Sequence, residues 1–300
     1  MGERLYTPLN EKTERNRPMP QKLRDALKTI EEYKKTAPHY EELLDILGEI
    51  LILREKHLQQ LDEGTFSLDE RLVESKIEGG FPLVDVIGGS FDLSRPKEYF
   101  LELLEIAEQR VPGETGDVAQ RIRDGEIEFE ELIRRSFASA LDEGEEDESG
   151  EEGADSETFD LIDLFLEESL RPSLSRLAAR YGSRIAEAEW SEGYCPICGK
   201  EPKIGEIRQE EGFRYLFCSQ CGYEWNFRRI KCPFCGNEEH DSLAYFTVEG
   251  EERYRVDVCN VCKRYIKMVD FRELNKEANL DVEDIATLHL DILANEEGYE

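Results

Sequence analysis

Positive charge is scarce in this chain. Lys and Arg number 38 against 69 Asp and Glu, a formal net charge of −31 over 300 residues. Such a surface is a poor match for a phosphate backbone, which needs clustered Lys and Arg, so nucleic acid is not an expected partner. Long apolar runs are also missing. The opening stretch MGERLYTPLNEKTERNRPMP lacks the apolar core of a signal peptide, and nothing later approaches the ~20 residues of a membrane span. The reading is a cytoplasmic protein without membrane insertion. The four histidines, His39, His57, His240 and His289, are scattered. No His-Glu-x-x-His or phosphate-loop pattern occurs, and no nucleophile, base and orienting group can be placed together, so an enzyme assignment has no mechanism behind it.

Cysteine is absent from most of the chain and concentrated in one part. All eight lie between Tyr194 and Phe271, as the pairs Cys195/Cys198, Cys218/Cys221, Cys232/Cys235 and Cys259/Cys262. In a reducing compartment, paired cysteines are more often metal ligands than structural disulfides.

The rest of the chain reads mainly as helix. Residues 1–19 form a polar arm preceding a helical domain that extends to residue 141. Its apolar residues recur at three- and four-residue steps from Pro20 to Leu61, broken near Pro38, and again over Ser67–Glu78, Pro96–Gln109 and Gly125–Leu141. The apolar run Phe81–Ile87 has no definite form. Residues 142–157 are nearly all acidic or small and read as a solvated linker or loop. A helical connector, residues 158–190, is interrupted by Pro172. After the cysteines, residues 272–300 form a helical tail over Asp281–Ala294, with Asp281 placed to cap it.

The spacing C-x2-C-x19-C-x2-C-x10-C-x2-C-x23-C-x2-C is read most economically as consecutive pairs. Cys195, Cys198, Cys218 and Cys221 form one four-thiolate site in a module of residues 191–231; Cys232, Cys235, Cys259 and Cys262 form a second in residues 232–271. Between the knuckles of each module the chain reads as a hairpin: Lys203–Ile207 with Phe213–Phe217, and Leu243–Val248 with Arg253–Val258. A third strand follows each, Tyr223–Phe227 and Tyr265–Val269. The ten-residue link predicts two modules packed in tandem. Gly199, Gly222 and Gly236 follow three of the four knuckles, where glycine lets backbone amides approach the thiolates; Lys263 breaks that pattern. The fold expected is α+β, a helical N-terminal domain followed by two tandem rubredoxin-like or zinc-ribbon modules and a C-terminal helix.

Two readings of the metal stay open. Zinc would replace a core too small to stand alone; iron would make the sites rubredoxin-like, with a redox or sensing role. Thiolates accept either ion. Ser191–Asp270 carries 12 Lys and Arg against 14 Asp and Glu, so this ribbon is no basic platform. Its cluster Arg228-Arg229-Ile230-Lys231 reads as a surface patch, not a track for nucleic acid. His240, five residues past Cys235, reads as a surface histidine because eight cysteines already fill two sites.

Several segments resemble one family, the formate dehydrogenase accessory (formation) proteins, FdhE. They are Glu189–Gly199 (EWSEGYCPICG), Glu224-Trp225 leading through Arg229-Ile230-Lys231 to Cys232, Cys259–Lys267 (CNVCKRYIK), Glu283–Asp291 (EDIATLHLD) and Glu297-Gly298-Tyr299. The similarity spans about Phe165 to Tyr299; upstream it is limited to helical character and an echo at Phe81-Pro82-Leu83. The resemblance implies a cytoplasmic maturation factor with iron in both modules, its partner the catalytic subunit of a molybdenum- or tungsten-dependent formate dehydrogenase. All eight cysteines take the family's ligand positions. The acidic insert is not carried over. The competing classes are a nucleic-acid-binding zinc ribbon or generic interaction module, and a rubredoxin-like electron carrier.

Overall fold

A computed structural model describes residues 19–61, 66, 68–86, 89, 91–110, 114–139, 156–274 and 277–300. The predicted arm, up to residue 18, and residues 142–155 of the acidic stretch lie outside the described residues. The first half is helical: α1 (Gln21–Thr36), α2 (Glu41–Gln60), α3 (Glu70–Glu78), α4 (Ser94–Glu108), α5 (Glu114–Arg123) and α6 (Phe129–Ser139), followed by the long α7 (Ser156–Glu187). Among the described residues no helix is long and apolar enough to cross a membrane.

The sequence reading misses α5, a short helix with few apolar residues, of which Ala119 and Ile122 are buried. It also breaks α7 at Pro172, which the structure carries inside a continuous helix. An interior proline costs about 3 kcal/mol. Here Phe165, Leu166, Leu170 and Leu174 are each at most 1% exposed, and full burial of one such side chain contributes roughly 1.5–3 kcal/mol. Packing around the proline therefore outweighs the local cost.

The cysteine region forms six strands: β1 (Ile204–Arg208), β2 (Phe213–Phe217), β3 (Glu224–Phe227), β4 (Leu243–Phe246), β5 (Tyr254–Cys259) and β6 (Tyr265–Asp270). They make a single sheet in the order β3-β2-β1-β6-β5-β4. Each module supplies an antiparallel trio, and the trios join through a parallel β1–β6 pairing that sets Ile204 beside Lys267. Gly205 of β1 leaves no room for a side chain: a Cβ there would lie 2.5 Å from the Tyr215 carbonyl oxygen.

The tail is two helices, α8 (Leu280–Ala286) and α9 (Leu288–Glu296), separated at Thr287. Asn279, not Asp281, caps α8, its side chain accepting from the Val282 amide. Asp281 instead pairs with Arg171 of α7 at 2.6 Å and Arg54 of α2 at 3.1 Å. Both helices cover one face of the sheet, where Val256 and Val258 pack with Leu290 and Ala294. Lys267, 2% exposed, donates from that face to Asp291 at 2.7 Å and to the Asp284 carbonyl at 2.9 Å.

Candidate metal centres

Each Cys-x-x-Cys pair closes the same turn. The amide four residues after the first cysteine donates to that cysteine's carbonyl (Gly199 to Cys195, Gly222 to Cys218, Gly236 to Cys232, Lys263 to Cys259), at 2.8 to 3.1 Å. The first cysteine's own amide donates to the residue beyond, at 2.8 to 3.0 Å. All four turn-closing residues have positive φ, from 62° at Lys263 to 79° at Gly199. The break in the glycine pattern therefore leaves the fourth knuckle's geometry unchanged.

These turns bring the cysteines together as the spacing predicts. Cys195, Cys198, Cys218 and Cys221 have their sulfurs within 4.8 Å of one another, as do Cys232, Cys235, Cys259 and Cys262. The Sγ separations are 3.4 Å for Cys195–Cys221, 3.5 Å for Cys198–Cys218, and 3.7 Å for both Cys232–Cys262 and Cys235–Cys259. A disulfide needs about 2 Å. A metal with four sulfurs at about 2.3 Å in a tetrahedron puts the sulfurs ~3.8 Å apart. The spacing suits a metal, and each group could hold one ion. No histidine joins either group: among the described residues both contain cysteine alone.

Electrostatics point the same way. Burial pushes the Cys195 and Cys221 thiols well above the usual value. Burial raises Cys259 too, but the amides of Cys262 and Val261, with the neighbouring sulfurs of Cys235 and Cys262, together outweigh it and hold the thiol at about 7. Four such groups this close cannot all ionise without a cation among them, whereas a divalent ion stabilises the thiolates it binds.

The two groups differ in setting. Cys195, Cys218 and Cys221 are at most 1% exposed, packed in the main core with Ile197, Leu216 and Trp225. Helix α7 holds this knuckle through Ser175, which donates to the Cys221 carbonyl at 2.7 Å, and Arg171, which donates to that of Ser219. The apolar run left undefined by the sequence also docks here. Leu83 and Val84 donate their amides to the carbonyls of Pro196 and Ile197, both at 2.9 Å. Only the run's apolar character signalled it. In the second group Cys235 is exposed. Its last knuckle is closed by the chain end: Glu300 donates to the Lys263 carbonyl at 2.8 Å, and Tyr265 donates back to Glu300.

The remaining histidines have local roles. His57 is buried against Glu102 at 3.2 Å, His289 meets Glu251 at 2.7 Å, and His240 is exposed as expected.

Comparison with known proteins matches residues 194–229 to the family model "FdhE, central domain" and residues 230–300 to "FdhE, C-terminal domain". A "Protein FdhE homolog" of Aquifex aeolicus is 30% identical over 277 residues, 91% of each chain. Another from Pseudomonas aeruginosa is 31% identical over 244 residues, covering 77% of this chain and 72% of that one. The crystal structure of the FdhE protein from Pseudomonas aeruginosa superposes with a TM-score of 0.68, covering 94% of both chains at 24% identity; that likeness is one of fold.

Proposed function

The chain belongs to the FdhE family, and from that premise we propose that it is an accessory protein for a formate dehydrogenase, recognising the enzyme's catalytic subunit in the cytoplasm during assembly or activation. The observation that carries this reading is the pair of four-cysteine groups built into one sheet, in a chain that aligns with a relative over 91% of both lengths. Its role is to bind and prepare a partner, not to turn over a substrate.

The eight cysteines are the ligands, four to each ion. Iron would supply a one-electron couple, whereas zinc would supply none. The protein's own groups do the rest. Amides within the knuckles are directed at sulfur, as Ile197 is toward Cys195 at 3.4 Å, and such donors tune and stabilise thiolate charge. The core around the first group excludes water, while Cys235 brings the second group to the surface a partner would meet.

The test is retention of a molybdenum- or tungsten-dependent formate dehydrogenase catalytic subunit on the immobilised chain under reducing, anaerobic conditions. Retention is expected, together with two metal equivalents per chain by elemental analysis. Failure to retain the subunit, while a known accessory protein retains it in parallel, overturns the reading.

A further inference from the structure

The sheet has a second face. Register places Arg255 and Asp257 of β5 and Tyr245 of β4 opposite the side covered by α8 and α9, since their neighbours Val256 and Val258 point to those helices. On the first module's half this face is buried in the main core through Ile207 and Leu216. On the second module's half it opens into a groove of about 570 Å³, walled by the Cys232–Phe234 knuckle. That volume is in the range of small-molecule sites and too small for a folded partner.

Five cations line the groove: Arg214, Arg229, Lys231, Arg255 and Arg264. One lining acid, Asp257, sits between Arg255 at 2.8 Å and Arg214 at 3.5 Å. Glu201 neutralises Arg264 from outside. Arg229 and Lys231 have no ion-pair partner among the described residues. Arg214, only 3% exposed, donates to the carbonyls of Arg228 and Lys231, and its buried Nε has no partner. Arg264 lies 3.9 Å above the Phe234 ring and Arg255 lies 5.1 Å above Tyr245, so the guanidinium planes are braced by aromatic rings. Three uncompensated positive charges in one concave site are hard to explain as general surface in a chain of net charge −31. A filled four-thiolate divalent centre beside them would balance two.

We infer that this groove is a binding site for a phosphate-bearing small molecule, whose anionic group is held by Arg229 and Lys231 above the buried charge of Arg214 and whose apolar body lies against Tyr245 and Phe234. A phosphate carries up to about two negative charges and several acceptor oxygens, matching the guanidinium and ammonium donors that line the groove. Cys232 and Cys259 belong to the same wall, so the bound molecule lies directly against the second centre. The inference rests on the groove alone and stands apart from the choice of protein partner.

Calorimetry on the metal-loaded full chain, under anaerobic conditions and without any partner protein, tests it with three probes: inorganic pyrophosphate, adenosine diphosphate and a hexaglutamate peptide. Both phosphate probes are expected to bind, more weakly as salt rises. The double variant Arg229→Ala/Lys231→Ala, altered at two exposed or half-buried positions, is expected to bind them at least about tenfold more weakly, with metal content and melting temperature unchanged. Absence of phosphate binding overturns the site, as does equal binding by the variant. Preference for hexaglutamate makes it an acidic-peptide surface instead. Metal loss in the variant means that the cations serve only as counter-charge to the centre.

Discussion

Lys263 occupies a backbone position filled by glycine at the other three knuckles, and it does so at φ 62°. A side chain in the left-handed region costs about 1–2 kcal/mol relative to glycine. What offsets this lies on the chain end, where Tyr299 lies under the Lys263 ammonium at 5.5 Å and Glu300 donates to the Lys263 carbonyl. Lys263→Gly keeps the backbone contact and removes the strain. It should raise stability by roughly 0.5–1 kcal/mol, read as a higher denaturation midpoint with two metals still bound. A fall in the midpoint would mean that the ammonium–ring contact outweighs the strain. At this scale the grouping of the eight cysteines was legible, because Cys-x-x-Cys fixes the local geometry of each knuckle. The same turn sets the conformation of Lys263; what no local pattern announces is its contact with Tyr299 and Glu300.

Elements bounded by local signals were the most readable. The six strands fall within a residue or two of the hairpins read from alternation and turn glycines, because each hairpin is closed by its own turn. The parallel β1–β6 seam joining the modules was not readable, since it pairs strands some sixty residues apart. Asp281 was misread for a related reason: its position next to a helix start suggested a cap, but two arginines brought in by α2 and α7 claim it. Burial alone would raise its carboxyl, yet Arg171 and Arg54 hold it below the usual value of 3.8. A carboxyl depressed in the folded state contributes stability that is present above the unfolded value and lost as pH falls through the lower folded one. Asp281→Asn leaves Arg171, only 6% exposed, without its carboxylate, while Arg54 keeps Glu168 at 2.7 Å, and should cost about 3 kcal/mol at neutral pH. Guanidinium denaturation across pH checks this. The gap between variant and parent should hold down to pH 3.8 and close below it; a gap that does not change with pH would assign the loss to packing.

For the whole molecule, the sheet makes the two centres continuous while their surroundings make them unequal. The first is embedded where α7, the Leu83-Val84 segment and the sheet meet, so its four cysteines cannot separate without opening the main core. The second sits at the sheet's far end, with Cys235 exposed and its last knuckle held by two residues: Tyr299 donates to the Asn260 side chain at 2.9 Å, and Glu300 closes onto Lys263. A structural four-thiolate ion can be worth on the order of 10–16 kcal/mol of apparent folding free energy, but that energy reaches the rest of the fold only through packing. Graded chelation of the reduced protein should therefore remove one metal equivalent early, with helical circular dichroism nearly intact. The second equivalent should leave only with cooperative loss of the helices. Cys232→Ser/Cys235→Ser should abolish the early phase and spare the late one, whereas Cys195→Ser/Cys198→Ser should unfold the helical half as well. Simultaneous release of both ions, or a folded helical half after the Cys195 and Cys198 replacements, would show that the core around α7 stands without its metal.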